Sequence, residues 1–99
     1  MKIVFKNPKN TPLNLMRQAG YSFERKDPKT EEESFVRHLS TEEYPKIHAF
    51  IKKQGEEIII NLHLDQKKPS YPGSYAHAAE YESEILEKEA KNIREIFKS

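Results

Sequence analysis

The fold of this chain is decided by residues 46–65, which read KIHAFIKKQGEEIIINLHLD. Aliphatic residues occupy alternate positions on both sides of a short Gln-Gly-Glu segment, and this period of two predicts a β-hairpin. Alternate side chains of a strand point to the same side, so the aliphatic residues define one inward face. We expect that face to consist of Ile47, Ala49, Ile51, Ile58, Ile60, Leu62 and Leu64.

The turn of the hairpin determines which residues lie opposite one another. With a two-residue turn at Gly55-Glu56, even positions of the first strand share a face with odd positions of the second. His48 is then predicted to lie directly opposite His63, with Asp65 two residues further along on the same side. The outward face is completed by Phe50, Ile59 and Asn61.

Upstream of the hairpin, the sequence predicts a short helix. Thr11-Pro12 is typical of a helix start, because threonine caps free amides and proline at the first position gives up only an unpartnered amide. Gly20 supplies the left-handed residue that ends a helix. The apolar side of this helix is formed by Leu15, Met16 and Ala19.

Three further strands and a second helix complete the predicted elements. Residues 3–5, 21–25 and 34–39 show strand patterns. Residues 66–78 are rich in Pro, Ser, Gly and Tyr and are predicted to form a long loop. A helix over residues 79–97 follows, with an apolar stripe of Leu86, Ala90, Ile93 and Phe97 flanked by Ile85 and Ile96.

Together these elements predict one domain, residues 1–99, of the α+β class. We expect two layers, with a three- or four-stranded antiparallel sheet and both helices on one face, in the order β-α-β-β-β-α with an optional first strand. A chain of 99 residues supports a single core.

Composition excludes several classes of site. The chain has no cysteine, which rules out disulfides, zinc-thiolate sites and thiol nucleophiles and fits a reducing cytoplasm. No apolar run is long enough for a signal peptide or a membrane span, so we expect no membrane association. Residues 1–29 carry seven Lys/Arg against two Asp/Glu, an excess that weakly favours a phosphate-bearing partner.

The first candidate site is the outward face of the hairpin. His48, His63 and Asp65 could hold a divalent metal ion, with His77 and Glu80 completing the ligand set. The same trio suits acid–base catalysis on a phosphodiester, because histidine exchanges protons near neutral pH and a carboxylate orients its ring. The alternative is a polar face that simply contacts water.

The second candidate site is the loop that follows the hairpin, in which cations alternate with aromatic rings. Lys67 and Lys68 could pair with phosphates, while Tyr71 and Tyr75 could stack on bases of a single strand. Phe50 and Asn61 of the outward face would extend that binding surface. The alternative is that the tyrosines fold back over the sheet as a lid.

The order helix, three antiparallel strands, helix resembles that of double-stranded-RNA-binding domains and of small HicA-type toxin ribonucleases. The resemblance is one of topology, covers residues 11–65 and the last helix, and has Ala19-Gly20-Tyr21 as its most specific local element. The chain lacks the Lys-Lys-x-Ala-Lys start of the last helix in the former and a Gly-Ser-His strand start near Ser34 as in the latter.

Three functions follow from this sequence. The first is a small binding module for nucleic acid or a partner protein, which uses the outward face and the tyrosine loop. The second is a histidine- or metal-dependent phosphodiester hydrolase. The third is a structural subunit whose outward face is buried in a homodimer, because bulky Phe50 and Ile59 beside histidines are unusual on a merely solvated surface.

Overall fold

The computed structural model describes residues 1–66 and 75–98, without the side chains of residues 75–81. The chain has the predicted α+β class. Its elements in order are β1 (Lys2–Lys6), α1 (Pro12–Gln18), β2 (Ser22–Lys26), β3 (Glu33–His38), β4 (Lys46–Gln54), β5 (Glu57–Asp65) and α2 (Tyr75–Lys98).

Among the described residues, the sheet has five strands in the order β1-β5-β4-β3-β2, and every neighbouring pair is antiparallel. The predicted number of three or four strands is therefore wrong, and it also falls short of the five strand segments that the sequence pattern marks. Strands β2 to β5 come between the two helices in the sequence. Strand β1 precedes both helices and pairs with β5, and this pairing buries Ile3 in the core. The chain therefore differs in topology from double-stranded-RNA-binding domains and HicA-type toxins, because four strands and not three separate its helices in the sequence.

The turn between β2 and β3 is stabilised by one side chain. The carboxylate of Asp27 accepts hydrogen bonds from the backbone amides of Thr30 at 3.1 Å and Lys29 at 2.8 Å. These amides hold the pKa of Asp27 below its usual range, because they favour the charged form. An aspartate turn of this kind returns the chain sharply enough for β2 and β3 to pair.

The hairpin turn has the predicted length. Gln54 lies opposite Glu57, which leaves Gly55 and Glu56 as the two turn residues. Gly55 has a φ of +61°, whereas Glu56 does not have a positive φ, and a positive first residue alone is typical of a type II′ turn. The predicted pairing of β4 with β5 is therefore confirmed.

Helix α1 begins and ends as the sequence predicts. The Thr11 side chain accepts a hydrogen bond from the Asn14 amide at 3.3 Å, and Pro12 is the first helical residue. At the other end, the amide of Gly20, with a φ of +93°, donates to Arg17, and the next amide donates to Met16. These two bonds form a Schellman motif, which directs the chain from the helix into β2.

The core lies between the helices and the aliphatic face of the sheet. Both helices contribute buried residues to one hydrophobic cluster. Its sheet members include the residues predicted for the inward face, apart from Leu64, which is partly buried. The cluster consists of Ile3, Leu15, Met16, Ala19, Tyr21, Phe35, Ile47, Ala49, Ile51, Ile58, Ile60, Leu62, Ala90, Ile93 and Phe97.

Helix α2 begins at Tyr75, four residues before the predicted start, so residues 75–78 do not belong to a loop. Gly73 is the last glycine or proline before the helix, and the alanines that follow favour helical backbone. Within the described part of the chain, no helix is both long and apolar enough to cross a membrane.

A buried polar cluster connects α2 to the sheet. The Glu89 carboxylate accepts a hydrogen bond from the Tyr21 hydroxyl at 2.9 Å and two from Nη1 of Arg37 at 2.9 and 3.0 Å. Asn92 donates to the carbonyl of Ala19 beside it. Burial, followed by the charge of Glu89, raises the pKa of Tyr21, so the hydroxyl keeps its proton and donates.

Candidate functional site

The two hairpin histidines lie where the strand pairing predicts. His48 on β4 is directly opposite His63 on β5, and Asp65 is two residues further along β5. The outward face, as the term is used below, is the side of the sheet opposite the core. By register it carries Lys2, Val4, Lys6, Ser34, Val36, His38, Lys46, His48, Phe50, Lys52, Glu57, Ile59, Asn61, His63 and Asp65.

Three aromatic rings form a continuous group at the centre of the outward face. The rings of His48 and Phe50 have centroids 5.8 Å apart at an interplanar angle of 28°. The rings of Phe50 and His63 have centroids 5.6 Å apart and meet edge to face at 70°. Phe50 is half-buried and His63 is exposed, so the group offers ring surface to a ligand.

His48 lies between two carboxylates. Its Nδ1 is hydrogen-bonded to Oδ2 of Asp65, and its Nε2 is 3.5 Å from Oε2 of Glu24. A neutral imidazole has one N–H and can donate to only one of these groups, whereas the protonated ring donates to both. His48 on β4 therefore contacts a carboxylate of β5 and lies close to a carboxylate of β2.

Glu24 is a member of the site that the sequence did not predict. Phe23 pairs with Phe35 and Arg25 pairs with Ser34, so Glu24 is the extra residue of a β-bulge in β2. The bulge breaks the alternation of this strand, and the side chain of Glu24 reaches His48 across β3. Strand patterns alone give no signal for this contact.

Lys46 lies at the end of the outward face, opposite Asp65. Its ammonium group is 2.7 Å from the carboxylate of Glu43 and 4.8 Å from the ring centroid of Tyr44. The hydrogen bond between the two charged groups raises the pKa of Lys46 and lowers that of Glu43. Glu43 therefore already neutralises this lysine.

The remaining strand histidine is separate from the ring group. His38 lies opposite Lys46, and its Nδ1 is 3.1 Å from the carbonyl oxygen of Glu43. Its neighbour Arg37 points to the other face, where it contacts Glu89. His38 is exposed and is not a member of the ring group.

Charged residues lie at both ends of the row that contains Phe50. The register places Asn61, Phe50 and Ser34 side by side on adjacent strands, with Lys2 at one edge of the sheet and Arg25 at the other. Four strand spacings of about 4.8 Å separate these cations by roughly 19 Å. The row through Phe50 therefore has a cation at each end, whereas the neighbouring His48 lies between two carboxylates.

An open groove of about 600 Å³ begins at this ring group. It follows β5 beyond the start of β1 and reaches the described part of α2. Its lining includes His48, Phe50, His63, Asp65 and Glu82. The two imidazoles are therefore accessible from one connected space.

The predicted metal site is only partly covered by the structure. Within residues 1–66 and the described side chains of α2, no group of three His, Asp or Glu residues stands close enough to hold a metal ion. The trio of His48, His63 and Asp65 therefore does not form one by itself. The side chains of His77 and Glu80 lie outside the described residues, so the five-residue site stays a prediction.

The second candidate site also lies outside the described residues. Lys67, Lys68 and Tyr71 fall in residues 67–74, and the side chain of Tyr75 is not described either. Their predicted role in binding stays a prediction. Asn61 and Phe50, the other predicted binding residues, lie opposite each other on the outward face.

Comparison of the chain with models of known protein families, with curated proteins and with solved structures finds no match.

Proposed function

We propose that the chain is a binding module that takes up single-stranded nucleic acid on the outward face of its sheet. The observation that carries this proposal is the ring group of His48, Phe50 and His63 on two adjacent strands. Some RNA-binding modules with an antiparallel sheet stack two or three bases on aromatic side chains of that sheet. Stacking accepts every base, so the preference for sequence is expected to be weak.

The surroundings of the rings support a strand that crosses the sheet. Lys2 and Arg25 stand at the two ends of the Phe50 row, where they can pair with phosphates on either side of a stacked base. Asn61 lies beside Phe50 and is partly exposed, so its side-chain amide can hydrogen-bond base edges or sugars. Lys52, two residues along β4 from Phe50, is exposed and adds a further cation.

A protein partner is a weaker match to this surface. Protein interfaces are usually depleted in lysine at their centre and are anchored by buried apolar side chains. Here the apolar residues around Phe50 are interrupted by histidine, asparagine and lysine in every row of the outward face. A nucleic acid accommodates this mixture, because it presents stacked rings and charged phosphates in alternation.

The proposal is tested by titrating labelled oligonucleotides of about eight nucleotides with the protein and following fluorescence anisotropy. We expect single strands to bind better than a duplex. The affinity should fall as salt rises from about 50 to about 200 mM, because bound phosphates release counterions. An affinity that does not depend on salt, or the absence of saturable binding, would remove the proposal.

A matched pair of variants locates the binding surface. Phe50→Ala should weaken binding by about 5- to 150-fold, since one stacked base contributes about 1–3 kcal/mol. The control is Phe23→Ala, which removes an exposed phenylalanine whose ring packs on Phe35 on the other side of the sheet. Equal effects of the two substitutions would show that the ring group is not the site.

A second pair tests the charges. Lys52→Gln should reduce the slope of log affinity against log salt by about 0.7, the value for one phosphate of a single strand. Lys91→Gln removes an exposed lysine from α2 and should leave the slope unchanged.

Sedimentation of the same samples tests the homodimer hypothesis. A dimer that dissociates when the oligonucleotide binds would mean that the outward face forms the dimer interface in the free protein.

Hydrolysis of a phosphodiester is the second candidate, and the hydrogen bond between His48 and Asp65 opposite His63 favours it. A carboxylate that orients one imidazole beside a second is suited to acid–base cleavage. Glu24 opposes this role, because it lies 3.5 Å from the nitrogen of His48 that would act on substrate.

This candidate is tested with an RNA oligonucleotide under conditions that bind it. His63→Ala and His48→Ala should each abolish cleavage, and His38→Ala, which alters an exposed histidine outside the ring group, should not. If both His63→Ala and His48→Ala still cleave the oligonucleotide, the hydrolase hypothesis is wrong.

A further inference from the structure

Strand β1 leaves a regular row of backbone groups at the edge of the sheet. The N-terminal amino group of Met1 donates to the carbonyl of Leu62 at 3.1 Å, and the Leu62 amide donates to the carbonyl of Met1 at 2.8 Å. Further along, the Asn7 amide donates to the carbonyl of Glu56 at 3.0 Å. Because bonding alternates along an antiparallel pair, the amides and carbonyls of Lys2, Val4 and Lys6 point away from β5. Among the described residues these groups have no hydrogen-bond partner.

The side chains of the same three residues form a pattern of charge, apolar group and charge. Lys2 and Lys6 are exposed, and the valine between them is 46% exposed, which makes it one of the few large apolar side chains left open on the described surface. The pairing of β1 with β5 runs without a bulge. The opposite edge strand, β2, carries the bulge at Glu24, which hinders further pairing.

Another copy of β1 is a poor partner for this edge. In a two-fold antiparallel pair centred on Val4, Lys2 of each copy would lie directly opposite Lys6 of the other. Like charges directly opposite one another destabilise a strand pair. Lysines on edge strands are a common defence against such self-association.

Strand β5 shows which pattern the edge accepts. On its inner side, β1 has the acid Glu57 opposite Lys6 and the aliphatic Ile59 opposite Val4, while the polar Asn61 lies opposite Lys2. A strand added on the outer side meets the same side chains. It gains three pairs of backbone hydrogen bonds, two opposite-charge pairs and a partner for the exposed valine.

We propose that β1 binds an extended acidic segment of a partner protein, which adds to the sheet as a sixth strand with the pattern acid-x-aliphatic-x-acid. This site is separate from the proposed nucleic-acid surface, because its specificity rests on the backbone of the sheet edge. Lys2 belongs to both sites, so an acidic segment and a nucleic acid should weaken each other's binding.

The probe is the acetylated and amidated peptide Thr-Glu-Thr-Val-Thr-Glu-Thr, titrated into the full chain and followed by amide resonances and amide hydrogen exchange. We expect the amides of Lys2, Val4 and Lys6 to be unprotected in the free protein and to become protected with peptide. N-methylation of the central valine should weaken binding by about tenfold (about 1.4 kcal/mol). N-methylation of the neighbouring threonine, whose amide faces away from β1, should have little effect.

Charge reversal provides the matched test of recognition. The double variant Lys2→Glu and Lys6→Glu should lose about tenfold in affinity for the acidic peptide and recover it with a peptide in which lysines replace the glutamates. The double variant Lys29→Glu and Lys91→Glu changes net charge equally at exposed positions outside β1 and should bind like the original chain.

Three outcomes would overturn the inference. Protection of the Val4 amide before peptide is added would mean that the edge is already covered. Equal effects of the two N-methyl peptides would mean that attraction is electrostatic without strand pairing. A dimer in sedimentation with protected β1 amides would mean that the edge pairs with itself.

Discussion

The hydroxyl of Tyr21 provides a direct test of the buried cluster that joins α2 to the sheet. It donates to Glu89 at 2.9 Å within the core, while Arg37 donates two further bonds to the same carboxylate. In Tyr21→Phe the carboxylate keeps the arginine, so no buried charge loses its last partner. The cost should then lie near the lower end for a hydrogen bond to a charged group, about 1.5 kcal/mol.

The size of the chain converts this cost into a change in melting temperature. For a domain of 60–100 residues, 1 kcal/mol shifts the midpoint by about 4–8 °C, so the variant should melt roughly 6–12 °C lower. The measurement is thermal unfolding followed by circular dichroism near neutral pH, where the hydroxyl is protonated in both the folded and the unfolded state.

The same substitution makes a prediction about pH. Burial first, and then the charge of Glu89, raises the pKa of Tyr21 above its ordinary value of about 10. The unfolded chain therefore loses this proton at a lower pH than the folded chain. The stabilisation is fully present below about pH 10 and declines above it, by about 1.4 kcal/mol at about pH 11.

The assay compares urea unfolding of the wild type and of Tyr21→Phe at about pH 7, 9 and 11. The difference in unfolding free energy should be constant at the first two values and close to zero at the third. Tyr44→Phe is the control, because that ring lies under Lys46 outside the core. A wild-type advantage that persists unchanged at about pH 11 would refute the proposed burial of the hydroxyl.

Three further substitutions test the fold. Ile60→Ala should cost about 2–5 kcal/mol in urea unfolding, and Ile59→Ala on the opposite face about 1 kcal/mol; equal values would contradict the assigned strand phase. Gly55→Ala meets no atom within 4 Å but has to adopt a φ of +61°, so a loss of about 1–2 kcal/mol is expected, and an unchanged midpoint would argue against this turn. Thr11→Ala removes the cap of α1 and should lower stability by about 1 kcal/mol, whereas no loss would mean that water caps the helix equally well.

The local sequence predicted those features that depend on neighbouring residues. Two-residue alternation around Gly55 was sufficient for the hairpin, its register and the placement of His48 opposite His63. Thr11, Pro12 and Gly20 marked both ends of α1, since capping acts over a single turn. The start of α2 was predicted too late, because no capping signal separates residues 75–78 from the rest of the helix.

Contacts between distant segments could not be predicted in this way. The contact of Glu24 with His48 requires a bulge in β2 and the order of three strands, and neither appears in a local pattern. The bonds from Tyr21 and Arg37 to Glu89 span 68 and 52 positions of the chain. Such pairs form only after the sheet and α2 have packed together.

The sequence by itself therefore determined the elements of this protein and the two faces of its hairpin, because alternation and capping are short-range properties of the backbone. The tertiary structure alone decided the five-strand order, the edge position of β1 and the carboxylates that flank His48. Strand order and ion pairing depend on loop closure and burial over the whole chain, and these quantities have no period that a linear pattern can reveal.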